Sequence, residues 1–265
     1  MANGRYNDRV KLLALDVGNT NIVLGIFEDQ RLVASWRLST DRGRTADEYG
    51  VLATLMLAQA GITPKDVGGI AVCSVVPPLD HTLRTLLTRT FDAPILTVDH
   101  STDTGIRICY ETPSDVGPDR IVNAAAAYHQ VGGPCVVVDF GTATTFDVVT
   151  ANGEYHGGAI APGIGISMEA LFARAARLPR IDLARPPRVI GKTTRESMQS
   201  GFVFGFAGQA DAIISRLCAE LGPETRVVAT GGLAELIAPE TQSIRHVRPE
   251  LTLEGLEIIW RRQQR

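Results

Sequence analysis

The chain of 265 residues carries 26 Lys and Arg against 29 Asp and Glu, a formal charge of -3 with the basic residues scattered. That balance excludes the electrostatic footprint of a nucleic-acid binder and gives no support to attraction to a membrane surface. At this length roughly 70 to 75% of the extended surface is hidden on folding, so no metal or disulfide staple is needed. Cys73, Cys109, Cys135 and Cys218 lie far apart with no CxxC pair, which argues against structural zinc or a disulfide framework and for a reducing cytoplasm.

"MANGRYNDRVK" has no apolar h-region and is expected to be a polar leader. From 12 to 38, "LLALDVG", "NIVLGIF" and "LVASWRL" are expected strands, with "GNT" a tight turn and "EDQR" a hairpin turn. "TADEYGVLATLMLAQAG" opens with Thr45 and has Glu48 three residues on, a capping box, and ends at Gly61; it is expected to be a helix. Then come a strand, "GGIAVCSVVP", closed by Pro77 and Pro78, a helix, "LDHTLRTLLTRTF", and a strand, "APILTV". The order β-β-β-α-β-α-β indicates a mostly parallel or mixed sheet covered by helices.

Residues 100 to 118 lack periodicity and read as loop or irregular edge structure. A helix is expected from Asp119, "DRIVNAAAAYHQVG", with an acid where free N–H groups favour a carboxylate. A second β unit follows, "CVVVDFG", "TTFDVV" and "GGAIAPG", then a helix, "GISMEALFARAARL", a proline-rich link over 179 to 187, and a long helical pattern from Thr194 to about Leu221. Its apolar stretch "GFVFGFAGQADAII" meets Gln209 and Asp211 after eight residues, which indicates a buried helix and no membrane span. The chain closes with a strand, "RVVATGG", a short helix at "LAELI", and an amphipathic segment, "LTLEGLEIIWRR", whose Leu253, Leu256 and Trp260 share one side.

The stretches "LLALDVGNTNIVLGIF" and "CVVVDFGTATTFDVV" repeat one pattern: apolar strand, Asp-x-Gly, small hydroxyl or amide residues, apolar strand. The repeat suggests two related domains facing each other across a cleft, although two hairpins alike by chance would read the same way. A carboxylate at a strand end is costly without a cation, water or N–H groups around it. Gly18 and Gly141 let the backbone approach a ligand, while Asn19, Thr20, Asn21, Thr142, Thr144 and Thr145 add neutral donors. Such a turn suits a metal-bound polyphosphate, with Asp on Mg²⁺ and the turn on phosphate; an Asp-capped β-turn has the same local pattern. GxxxxGK[ST] and a GxGxxG after the first strand are both missing. No histidine pair has HExxH spacing, so a zinc site is not expected; His156, before Gly157-Gly158, is open between a substrate contact and a turn interaction.

The paired Asp-x-Gly hairpins and the "TGG" turn at 230 to 232 resemble the acetate and sugar kinase, Hsp70 and actin superfamily. The closer resemblance is to type III pantothenate kinases, carried in order by "DVGNTN" at 16 to 21, "GPDR" at 117 to 120, "DFGTATTFD" at 139 to 147, "GGAIAPG" at 157 to 163, "GKTTRESMQSG" at 191 to 201 and "TGG". The resemblance implies an α/β fold of two ribonuclease-H-like (actin-like ATPase) domains with mixed sheets flanked by helices, over 12-118 and 119-265. It implies ATP-dependent phosphorylation of pantothenate to 4'-phosphopantothenate, the first step of coenzyme A biosynthesis, by a cytoplasmic homodimer with its active site at the interface. An inactive nucleotide-binding regulatory protein of the same fold is the other reading.

Residue by residue, the resemblance implies that Asp16, Val17, Gly18, Asn19, Thr20, Asn21, Ile22 and Val23 form the ATP phosphate loop, with Thr142 a second nucleotide contact. It implies Mg²⁺ beside ATP and a monovalent cation, K⁺ or NH₄⁺, at Asp139. Gly117, Pro118, Asp119 and Arg120 would bind pantothenate, with Asp119 as proton acceptor and Tyr110 and Thr194 as further contacts. In the family a small residue other than proline usually stands at the position of Pro118, and proline removes a backbone donor there.

Overall fold

The computed structural model describes residues 11–265, so the expected polar leader, apart from its last residue, lies outside the described residues. The chain makes two compact units. The first takes the chain as far as Gly105, then Ser114–Ala126 and Thr252–Arg265; the second takes Ile106–Pro113 and Ala127–Leu251. These units are not separated by a single cut at 118/119, because the start of one helix and nearly all of the last one are counted with the first unit.

In the first unit β1 (Lys11–Val17), β2 (Asn21–Glu28) and β3 (Arg31–Ser39) form an antiparallel meander. Asp29 and Gln30 between β2 and β3 have φ of +47° and +67°, the left-handed pair of a type I′ hairpin turn, whose twist matches its strands. β4 (Val67–Ser74) lies parallel to β1 and β5 (Ile95–Thr97) parallel to β4, giving the order β3-β2-β1-β4-β5. The helix after β3, α1 (Ala46–Gln59), has the expected capping box between Thr45 and Glu48. The next helix, α2 (Pro77–Thr90), starts earlier than expected. Pro77 and Pro78 occupy its first positions, where the missing N–H has no helical partner to lose and the fixed φ already suits a helix.

The central strands β1 and β4 are buried on both faces, which is why they read as nearly continuous hydrophobic runs, whereas β3 at the edge alternates exposed and half-buried residues. One face packs Leu13, Leu15, Ile22 and Leu24 with Tyr49 and Leu57 of α1 and Leu83 and Leu86 of α2. The terminal helix, α7 (Leu251–Arg262), docks within the same unit and buries Leu253, Leu256 and Trp260, the three residues expected on its apolar side. Its approach accounts for two strand glycines. A Cβ on Gly25 would lie 2.7 Å from Leu253 Cδ1, and one on Gly69 would overlap the Trp260 ring. Gly69→Ala is therefore expected to cost about 1–3 kcal/mol, because a packed indole cannot move aside cheaply; a urea midpoint equal to that of the parent would contradict this packing.

The second unit repeats the first. β7 (Cys135–Phe140), β8 (Ala143–Val149) and β9 (Glu154–Pro162) form a meander, β10 (Arg226–Thr230) is parallel to β7, and β11 (His246–Val247) is parallel to β10. The order β9-β8-β7-β10-β11 matches β3-β2-β1-β4-β5 strand for strand, so the sequence echo is a repeat of topology. A two-residue strand, β6 (Arg107–Ile108), adds to the β9 edge out of the stretch expected to be irregular. Three more helices follow in chain order: α4 (Ile164–Arg174), α5 (Thr194–Leu221) and α6 (Ala234–Ile237). With 28 residues α5 is long and apolar enough, by length and composition, to cross a membrane, longer than the apolar stretch alone suggests. One side of it, Val203, Ala207, Ala210 and Ile214, is buried against Val136, Val138 and Phe146 of the sheet, but only 28% of its apolar stretch is buried, less than the buried helix expected.

Candidate active site

The first acidic turn is built by β1 and β2. Gly18 N–H donates to the Asn21 carbonyl (2.9 Å), and a Cβ on Gly18 would lie 3.1 Å from that oxygen. The segment just after β3 braces the turn: Thr40 Oγ1 donates to the Gly18 carbonyl (2.6 Å), Thr40 N–H to the Thr20 carbonyl (3.0 Å), and Arg42 Nη2 to Asn19 Oδ1 (3.1 Å). Val17 and Ile22 are core residues, whereas Asn19 and Thr20 are exposed. The expected phosphate loop therefore offers solvent its middle, and its ends are anchored by apolar burial.

Asp16 stands one residue before the end of β1, level with Cys73 of the parallel β4. Cys73 Sγ donates to Asp16 Oδ1 at 3.5 Å. Loss of water pushes the Asp16 carboxyl up to about 7, and the nearby Asp119 carboxylate pushes in the same direction against the weaker pulls of Cys73 and Arg37. Some of the Asp16 residue still meets solvent, but its carboxyl is enclosed. The Cys73 thiol is raised by burial and by the same two acids, so it stays protonated and serves as a donor.

Asp119 enters from α3 (Pro118–Val131), whose start belongs to the same unit. Pro118 is the first residue of that helix, where no intrahelical N–H bond is required. Ile121 N–H donates to the Gly117 carbonyl (3.2 Å), and Arg120 N–H donates to Asp119 Oδ1 (2.8 Å). Burial raises the Asp119 pKa, opposed by that N–H and by the Arg120 charge. A Cβ on Gly117 would sit 2.5 Å from Asp119 Oδ1, so glycine leaves the carboxylate its place. Asp16, Cys73, Gly117 and Asp119 thus form one enclosed acidic corner. Two carboxyls driven towards the neutral form by burial, and Asp16 also by the Asp119 charge, are a setting in which a cation would be held strongly.

The second acidic turn repeats the first. Asp139 stands one residue before the end of β7, level with Thr230 of the parallel β10, as Asp16 is with Cys73. Gly141 N–H donates to the Ala143 carbonyl (3.1 Å). Gly231 has φ of +94°, and a Cβ there would collide with Asp139 Oδ1 and come within 2.7 Å of the Phe140 backbone. Thr142 is exposed at the turn, and Gly163 is close enough that a Cβ would overlap the Thr142 carbonyl. Gly231 of "TGG" and Gly163 of "APG" therefore share one physical reason, close approach to the Asp139 turn.

Elsewhere in the second unit, Tyr110 follows β6 and lies over Gly157, whose φ of +89° and lack of Cβ make room for its ring. Tyr155 stands 6.4 Å from Tyr110 between centroids and donates its hydroxyl to buried Asp147 (2.7 Å). Thr194 opens α5 behind its N-cap Thr193 and is exposed. Sequence reasoning missed Cys73, Arg37 and the Asp147–Tyr155 pair. Their signal is strand register: Cys73 is reached only by pairing β4 with β1, and Arg37 only through its pairing with Val23 across β2 and β3.

The family profile of type III pantothenate kinases matches residues 12–216. The type III pantothenate kinase of Moorella thermoacetica (strain ATCC 39073 / JCM 9320) is 53% identical over 251 residues, covering 95% of this chain and 99% of that one. Among solved structures, the inorganic polyphosphate/ATP-glucomannokinase from Arthrobacter sp. strain KM aligns with a TM-score of 0.52 at 15% identity, over 97% of this chain and 100% of that one. The ROK hexokinase from Thermus thermophilus aligns at 0.51 and 15% identity, over 96% and 99%. At such low identity these two show the fold alone: two mixed sheets flanked by helices, as the resemblance implied. By profile and by identity across nearly its whole length, the chain belongs to the type III pantothenate kinase family.

Proposed function

We propose that this protein transfers the γ-phosphoryl group of ATP to the primary hydroxyl of pantothenate, forming 4'-phosphopantothenate for coenzyme A biosynthesis. The observation that carries the reading is the enclosed corner where Asp119 of the "GPDR" segment meets Asp16 of the "DVGNTN" turn. Phosphoryl transfer needs little covalent help from a protein; it needs positioning and charge compensation. Asp119 orients the hydroxyl and takes its proton late, as bonding to phosphorus makes that proton acidic. A carboxylate whose pKa is raised by burial suits that task better than one in water. Arg120 neutralises the pantothenate carboxylate or the charge that develops on the phosphoryl group. Tyr110, Gly117, Pro118 and Thr194 complete the acceptor contacts. Residues 16–23 and Thr142 hold ATP.

The donor set at Asp16 fits Mg²⁺, a hard cation that takes oxygen ligands. Bound there with ATP, the ion would offset phosphate charge and keep Asp16 ionised despite its burial. Asp139 is assigned the monovalent cation, K⁺ or NH₄⁺, on the family resemblance. K⁺ is expected to raise turnover and Na⁺ is not, with the K⁺ response lost in Asp139→Ala; a flat K⁺ titration of the parent enzyme would remove the assignment. The active form is taken to be a cytoplasmic homodimer with its active site at the interface.

An assay of ATP consumption with Mg²⁺ and K⁺, with and without pantothenate, tests the proposal. Stimulation by pantothenate supports the kinase. A rate indifferent to pantothenate would favour the inactive nucleotide-binding reading or another acceptor.

A further inference from the structure

The parallel pairing of β6 with β9 brings together side chains that the sequence holds far apart. Arg107 is level with Glu154 and Ile108 with Tyr155, while Cys109 N–H donates to the Tyr155 carbonyl (2.8 Å). Extending that register by one residue sets Cys109 level with His156. Because side chains alternate along a strand, Glu154 and His156 share one face and Tyr155 points to the other, into the core. Cys109 Sγ, a Glu154 carboxylate oxygen and a His156 ring nitrogen all lie within 4.8 Å of one another. His156 Nε2 is 3.2 Å from Glu154 Oε2.

We propose that Cys109, Glu154 and His156 form a binding site for a borderline-soft divalent transition-metal ion of the Zn²⁺ class. The donor set decides the class. Thiolate and imidazole select Zn²⁺ and its neighbours over Mg²⁺, Ca²⁺ or K⁺, and three protein ligands leave a position for water. None of the three belongs to the residues assigned to ATP, pantothenate or the two other cations. Arg107 pairs with Glu154 and would have to give way. Its side chain is 73% exposed, so releasing that pair costs little. Holding Cys109 against β9 would also fix the short β6 edge and Tyr110, the next residue.

The probe is Co²⁺ titrated into the full-length, nucleotide-free protein under reducing conditions, followed by the thiolate-to-cobalt charge-transfer band in the near ultraviolet. One equivalent should produce the band, and one equivalent of Zn²⁺ should remove it. Cys109→Ser should abolish the band, His156→Leu should weaken binding at least tenfold, and Cys218→Ser should change neither. Circular dichroism of each variant checks that the fold is kept, and exposed His156 provides a variant with little risk to folding. Absence of the band in the parent protein, or its persistence in Cys109→Ser, overturns the site.

Discussion

Asp119→Asn is expected to lower pantothenate-dependent turnover by about 10²-fold or more, the scale of losing a general base, while leaving folding and ATP binding intact. The substitution is nearly isosteric, and the amide oxygen can still accept from Arg120 N–H, the bond that fixes Asp119 at the start of α3. What disappears is the capacity to take a proton. The same change removes the charge that helps push Asp16 upward, so the Asp16 pKa should fall in this variant. The two readouts separate roles. Lost turnover with a lowered Asp16 pKa fits a base within the acidic corner; near-normal turnover removes Asp119 from the base role.

The second large effect is on stability, and its sign is opposite to intuition. The Asp16 carboxyl, ordinarily at 3.8, is pushed up to about 7 in the fold. Between those values the folded chain keeps a proton that the unfolded chain has lost, so this group makes stability fall as pH rises from about 4 to about 7. The whole shift corresponds to about 4 kcal/mol, an upper limit. Asp16 keeps some contact with solvent, and the realised penalty is expected nearer ~1–3 kcal/mol. Asp16→Asn should therefore be more stable than the parent in apo protein at pH 8. The gain should vanish below pH ~4, and catalysis with Mg²⁺ and ATP should be severely reduced. Paired denaturation curves at pH 4, 6 and 8 measure it; a variant less stable than the parent at pH 8 would contradict the enclosed, cation-seeking carboxylate. Saturating Mg²⁺ with ATP should narrow the difference, because a bound cation stabilises the ionised parent.

Local chemistry was the legible part of this chain. The Thr45–Glu48 capping box, the limits of α5 and the docking side of α7 follow from residues within a few turns of one another. The two Asp-x-Gly hairpins were readable too, and their repeat anticipated the matching strand orders. The start of α2 was misplaced because proline was given one meaning, a strand stop, when it also opens helices. Strand β6 was invisible: two residues carry no period, and its pairing depends on β9 more than forty positions later. The same limit hid Cys73 beside Asp16, the approach of Asp119 to Asp16, and the Cys109–Glu154–His156 group, all set by register or helix docking between distant segments. Pro118 removes a backbone donor, as expected; at the first position of α3 that N–H has no helical partner, so the loss falls on what the segment can offer a ligand.

The most direct measurement is product stoichiometry. Purified protein is incubated with ATP, pantothenate, Mg²⁺ and K⁺, and ADP and acceptor masses are followed together. The account predicts one 4'-phosphopantothenate for each ADP, with both nearly absent in Asp119→Asn. ADP formed without phosphorylated pantothenate, or no turnover by a folded protein that binds ATP, would contradict it.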